Sequence, residues 1–163
     1  MGSICRQRKD KTMRLRIFVI DDEQCIRDSF KWHLEDQGHE VLTAPEPVVC
    51  DIYKGHDCSE IYPCGDILFV DYNMPRMTGL EFVELMSQRG CKGHPSNKII
   101  MSGDTTTIDM ERVNRLGCQV IQKPVTLLRV DEIIDECKSR ISEKRRLANL
   151  TTKKPISPSG CTP

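Results

Sequence analysis

A doubly wound α/β fold around a five-stranded parallel sheet is predicted for this 163-residue chain by three observations. Short apolar runs alternate at regular distance with segments of helical periodicity, the pattern of repeated βα units. The runs are β-branched and apolar on both faces, as strands covered on both sides must be. Polar residues follow the runs directly: Asp21 and Asp22, then Asp71, Ser102 and Lys123.

The elements can be taken in order. Leu15–Ile20 is the first strand. Glu23–Gln37 follows as a helix with Ile26, Phe30, His33 and Leu34 on one stripe, and Gly38 stops it. Glu40–Thr43 is the second strand, and Pro45–Lys54 reads as a short helix around Val48, Val49 and Ile52. Residues 55–65 form a polar connection to the third strand, Ile67–Val70. Gly79–Arg89 is a helix with Leu80, Phe82, Val83 and Met86 inward. Gly90, Gly93 and Pro95 break the chain before the strand Lys98–Met101. Thr106–Leu116 is the fourth helix, Gly117 its stop, and Gln119–Gln122 the last strand. Leu127–Arg146 is the fifth helix, with Leu128, Ile133, Ile134, Cys137 and Ile141 facing in. Residues 14–146 thus read as one domain. A basic extension at 1–13 and a basic, Pro-containing tail at 147–163 are expected to be disordered. Met13 offers an internal start, which would make 1–12 an addition.

Composition narrows the class. No apolar run approaches the roughly 20 residues that span a bilayer, and the N-terminal stretch lacks the apolar core of a secretory signal. No membrane association and a cytoplasmic address are therefore expected. The net charge of zero hides a segregation, because residues 17–137 hold 22 acidic against 11 basic side chains and both ends are basic. The C-terminal run could touch nucleic acid, but a solvated helix end and tail is the expected reading. Nine cysteines are scattered without a CxxC pair, which fits buried hydrophobes and free thiols better than a disulfide framework. His56, Cys58, Cys64, Cys91 and His94 fit no standard zinc spacing. A redox pair of Cys58 with Cys64 is a minor alternative.

In an open parallel sheet the reactive edge lies beyond the carboxyl ends of the strands. Asp21, Asp22, Asp71, Ser102 and Lys123 all fall there. Carboxylates brought together repel by about 4 kcal/mol per pair at ~4 Å and a surface-like dielectric. Lys123 supplies one positive charge, so a hard divalent cation, Mg²⁺, is the natural completion.

The runs Val19-Ile20-Asp21-Asp22-Glu23, Asp71-Tyr72-Asn73-Met74-Pro75-Arg76-Met77-Thr78-Gly79, Met101-Ser102-Gly103 and Lys123-Pro124 occur in order, each behind its own strand. In this the chain resembles the receiver domain of bacterial two-component response regulators over residues 14–141. The resemblance implies a flavodoxin-like sheet of order 2-1-3-4-5 and a stand-alone receiver that is not a turnover enzyme. It implies Asp71 as phosphoacceptor, served by a sensor histidine kinase or a histidine phosphotransfer protein, and an unidentified downstream protein. Asp22, Asp71 and the Asn73 backbone carbonyl would bind Mg²⁺, with Asp21 helping directly or through water. Lys123 and Ser102 would each meet a phosphoryl oxygen, and the Lys123–Pro124 bond would be cis. An acidic Asp104 and Asn73, each two residues past a site residue, would flank the water that hydrolyses the acyl phosphate.

One departure stands out. Three residues before the lysine the family usually carries Tyr or Phe, a ring that swings inward when the hydroxyl residue engages phosphate; here the position is Val120. The chain also lacks the Gly- or Ser/Thr-rich phosphate loop of a flavodoxin-like enzyme and the Asp-x-Asp of a phosphatase at 71–73. About 22 residues remain beyond Ile141, too few for a helix-turn-helix, so DNA binding through the tail is the alternative rather than the leading expectation.

Overall fold

The computed structural model describes residues 13–152. Five parallel strands, β1 (Arg16–Ile20), β2 (Glu40–Ala44), β3 (Ile67–Asp71), β4 (Lys98–Ser102) and β5 (Gln119–Gln122), pair in the order β2-β1-β3-β4-β5. Register is continuous, with Ile20 opposite Ala44 and Val70, Asp71 opposite Met101, and Ser102 opposite Gln122. Successive side chains alternate between faces. Ile17, Val19, Phe69, Ile99 and Met101 therefore meet α1 (Gln24–Asp36) and α4 (Leu127–Lys138) on one side. Ile20, Val70 and Ile100 meet α2 (Gly79–Gln88) and α3 (Met110–Leu116) on the other. Phe30 stands edge-on to Phe69 with centroids 5.4 Å apart, a contact worth about 1 kcal/mol beyond burial.

Among the described residues four α-helices form, not the five expected. Residues 45–54 fold as consecutive turns, with Val48 N–H donating to Glu46 O and Cys50 N–H to Pro47 O. Pro45 and Pro47 withhold amide donors, and each biases the residue before it away from helix. Ile52 and Tyr53 still pack inward, whereas Val48 is 41% exposed. The face of β1 and β2 above these turns keeps Phe18 and Leu42 only half-buried, around a groove of about 360 Å³.

Two more boundaries move. The fourth predicted helix begins at Met110 because Asp109 accepts from Arg112 N–H, while Thr105–Thr107 makes a separate 3-10 turn. The last helix ends at Lys138, where the Ser139 hydroxyl donates to Glu136 O at 2.7 Å. In it Val130 takes the inward place and Leu128 is 70% exposed.

Beyond α4 the chain turns under the amino ends of the strands and stays packed. The Arg145 guanidinium grips both Asp66 oxygens at 2.6 Å and donates to Arg14 O. Arg16 reaches Ala148 O, Ala148 N–H donates to Pro63 O, and Leu150 lies against the groove. Ala148 is 4% exposed, so packing continues past the boundary expected at 146. Residues 153–163 and 1–12 lie outside the described residues, and Met13 packs against the core.

His39 sits beside this strap, its Nδ1 accepting from Leu15 N–H and its buried Nε2 without a partner. Burial first, and then Lys138, hold its pKa below 6.5 against the opposing fields of Asp66 and Asp131. The unfolded chain therefore takes the proton more readily. Stability from neutral His39 is present above about pH 6.5 and is lost as pH falls through the folded-state value. Urea titrations between about pH 8 and 5 should show a loss of stability towards the acid end that His39→Asn flattens.

Candidate functional site

The polar residues that follow the strands do converge. Asp21 is fully buried after β1, and Asp71 closes β3 at 4% exposed, while Asp22 stands open at the rim. One oxygen from each of these three carboxylates lies within 4.8 Å of the others. Lys123 enters the same space from β5, its Nζ 2.7 Å from Asp21 Oδ2 and 3.2 Å from Asp71 Oδ1. The Lys123–Pro124 bond is cis. Ser102 closes β4, but its hydroxyl is engaged with Asp104, donating to the carbonyl at 3.0 Å and accepting from the amide at 3.1 Å.

Local sequence explains each placement. Asp21 Oδ1 accepts from Glu23 N–H at 2.9 Å, turning the chain from β1 into α1. Arg27, one turn into that helix, donates to the carbonyls of Asp21 and Asp22 and fixes the turn. After β3, Asn73 bridges to Thr78 and Gly79 N–H donates to Tyr72 O, closing the loop on itself. Gly79 has to be glycine, because a Cβ there would lie 2.5 Å from Asp71 O. Thr78 and Glu81 then cap α2 reciprocally.

The electrostatics follow from burial. Loss of water, and then the neighbouring Asp21 charge, push the Asp71 carboxyl above its ordinary range, with Lys123 pulling the other way. Burial also works against the charge on Lys123, but its close ion pair with Asp21 and the field of Asp71 prevail and raise it. One ammonium thus faces two buried carboxylates. Asp21 Oδ2 has no aligned hydrogen bond despite the ammonium close by. Convergent carboxylate oxygens, one of them buried and unaligned, suit a hard divalent cation. Among the described residues no other trio of acidic, Cys or His side chains converges this way.

Three contributors escaped sequence reasoning. Arg27 fixes the Asp21 turn, Glu23 places a carboxylate 3.7 Å from Lys123, and Gln122 binds the loop after β4. Only Glu23 carried a signal, as the third of three consecutive acids. The Asp104 carboxylate is committed to Thr106, whose bonds lower its pKa, and it caps the 3-10 turn.

A parallel sheet of order 2-1-3-4-5 with carboxylates at its reactive edge defines a CheY-like, flavodoxin-type α/β domain. The response regulator receiver domain model matches residues 17–135, and the chain belongs to that family. It is 30% identical over 142 residues to Regulator of RpoS of Escherichia coli K12, covering 81% of this chain and 39% of that protein. It is 29% identical to protein-glutamate methylesterase/protein-glutamine glutaminase 4 of Anaeromyxobacter dehalogenans, covering 80% of this chain and 35% of that protein. With TdiR of Thauera aromatica the share of the relative rises to 56%, so the chain spans between about a third and a little over half of these relatives. Among solved structures, a CheY-like receiver domain from Methylobacillus flagellatus aligns with TM-score 0.59 at 19% identity, over 76% of this chain and 98% of that one. Response regulator TrrA of Thermotoga maritima, solved in complex with Mg²⁺–BeF, aligns with TM-score 0.56 at 20% identity, over 75% and 97%. No helix among the described residues is long and apolar enough to cross a membrane.

Proposed function

We propose that Asp71 accepts a phosphoryl group from the phosphohistidine of a sensor histidine kinase or histidine phosphotransfer protein, and that the modified domain signals by binding a further protein or relaying the group. The observation that carries this reading is the Lys123 ammonium held between the buried Asp21 and Asp71 carboxylates, with Asp22 at the rim. A carboxylate kept at a strand end, beside one cation and an acidic neighbour, is a nucleophile with a place for a charged electrophile. An Asp71 oxygen bonds to phosphorus as the P–N bond of the donor breaks. The electron pair stays on the imidazole nitrogen, which takes up a proton. Lys123 Nζ meets one phosphoryl oxygen, and the Ser102 hydroxyl, once released from Asp104, meets another.

Asp22, Asp71 and the Asn73 carbonyl would hold Mg²⁺, with Asp21 bound directly or through water. When bound, the ion neutralises charge on the phosphoryl oxygens. The Mg²⁺–BeF complex of TrrA is in keeping with such a site on this fold. We place the chain in a cytoplasmic setting, where its many thiols stay reduced. The nucleic-acid alternative loses ground because three arginines of the basic run are engaged within the domain: Arg145 on Asp66, Arg146 over Tyr62, and Arg140 on Asn97.

Acetyl phosphate with Mg²⁺ should add one phosphoryl group, detected by intact mass, and EDTA should prevent it. Protein that stays unmodified with Mg²⁺ present sinks the reading.

A further inference from the structure

Position 120 carries Val rather than a ring, and the loop after β4 is tied to β5 by a different side chain. Gln122 lies on the same face of β5 as Val120, two residues nearer the reactive edge. Its side chain is exposed, yet it makes four hydrogen bonds. Oε1 accepts from Thr105 N–H at 3.3 Å and from the Thr105 hydroxyl at 3.0 Å. Nε2 donates to Gly103 O at 2.6 Å and to Lys123 O at 3.1 Å. One amide therefore joins the Ser102 loop to the backbone of Lys123.

The Ser102 hydroxyl has one proton, now donated to Asp104 O. It cannot donate to a phosphoryl oxygen while that bond stands. Gly103 lies between Ser102 and Asp104, so a shift of the loop backbone that frees Ser102 from Asp104 bears on the carbonyl that Gln122 holds.

We propose that Gln122 is a positioning residue that holds the 103–107 loop in its unphosphorylated arrangement and couples the release of that loop to the end of β5. It does the work of linkage that a ring at position 120 would otherwise do. The proposal rests on Asp71 as the phosphoacceptor. Because the Gln122 bonds favour the unphosphorylated arrangement, they oppose phosphorylation by the same factor by which phosphorylation weakens them.

The test uses Mg²⁺ with beryllofluoride, which mimics a carboxylate-bound phosphoryl group, and reads amide hydrogen exchange at residues 103–107 together with beryllofluoride affinity. In the unmodified chain, beryllofluoride should speed exchange in this loop. Gln122→Met, which keeps length and removes all four bonds, should raise that exchange about ten-fold before any anion is added and leave little further response. It should also bind beryllofluoride about five-fold more tightly, the scale of one net hydrogen bond. Gln122→Glu keeps the acceptor for Thr105 and loses the donors, so it should fall between the two. A Gln122→Met protein whose loop responds to beryllofluoride as the unmodified chain does, or which binds it no more tightly, overturns the coupling alone. An unmodified chain that takes up no beryllofluoride overturns the phosphoacceptor reading and the coupling with it.

Discussion

Asp71→Asn protein is expected to take up no phosphoryl group from acetyl phosphate and Mg²⁺, and at the same time to be more stable than the unmodified chain. The amide cannot form the acyl phosphate, and among the described residues Asp21 is the one other carboxylate that combines burial at a strand end with direct contact to Lys123. Asp21 is committed through Oδ1 to the Glu23 amide and is wholly buried, so it is a poor substitute nucleophile. The stability gain has a separate origin. Two buried carboxylates share one ammonium, and their repulsion is of the order of several kcal/mol before Lys123 offsets it. Removing one charge should raise urea stability by about 1 kcal/mol in EDTA, since Lys123 keeps its closer ion pair with Asp21. Adding Mg²⁺ should narrow that gap, because the ion stabilises only the chain that binds it. Labelling of the variant at the level of the unmodified chain would move the site elsewhere. Unchanged stability in EDTA would mean that the two carboxylates do not strain the fold.

Arg145→Ala should cause a large loss of stability although the residue lies outside the acidic pocket and the apolar core. Asp66 has a side chain only 3% exposed, held on both oxygens by Arg145 and on one by the Arg16 amide. Truncating the guanidinium leaves a buried charge with one backbone donor, a loss of about 3 kcal/mol or more. It also frees the strap at Arg14 and with it the position of Ala148 and Leu150. Chemical denaturation measures the cost. The companion Asp66→Asn change, which removes the charge instead of its partner, should cost less. Equal, small losses in both would show that the strap is an ornament of the surface.

The sheet was legible in the sequence because burial on both faces writes a simple pattern. Val19-Ile20, Phe69-Val70 and Ile99-Ile100 can hardly be read as anything but central strands. The reactive edge was legible for the related reason that each strand delivers the residue after it to one line. Pro45–Lys54 misled because Val48, Val49 and Ile52 have helical spacing, and a run of turns can bury Ile52 equally well. Two prolines decided the matter against a helix. The strap escaped because an ion pair between residues 66 and 145 has no period and no local signal. Gln122 escaped for another reason: its partners at 103 and 123 are backbone carbonyls, which every sequence has.

The clasp between Arg145 and Asp66 also bears on how portable this domain is. The family match ends at residue 135, ten residues before the guanidinium that neutralises Asp66. A fusion or excision drawn at that border would carry every strand and the whole acidic pocket, yet leave a buried anion beneath the sheet. During synthesis the same holds in time, since all five strands emerge before the residue that settles the charge under two of them. The transplantable unit is therefore longer than its pattern of strands and helices suggests, and it closes at its far end.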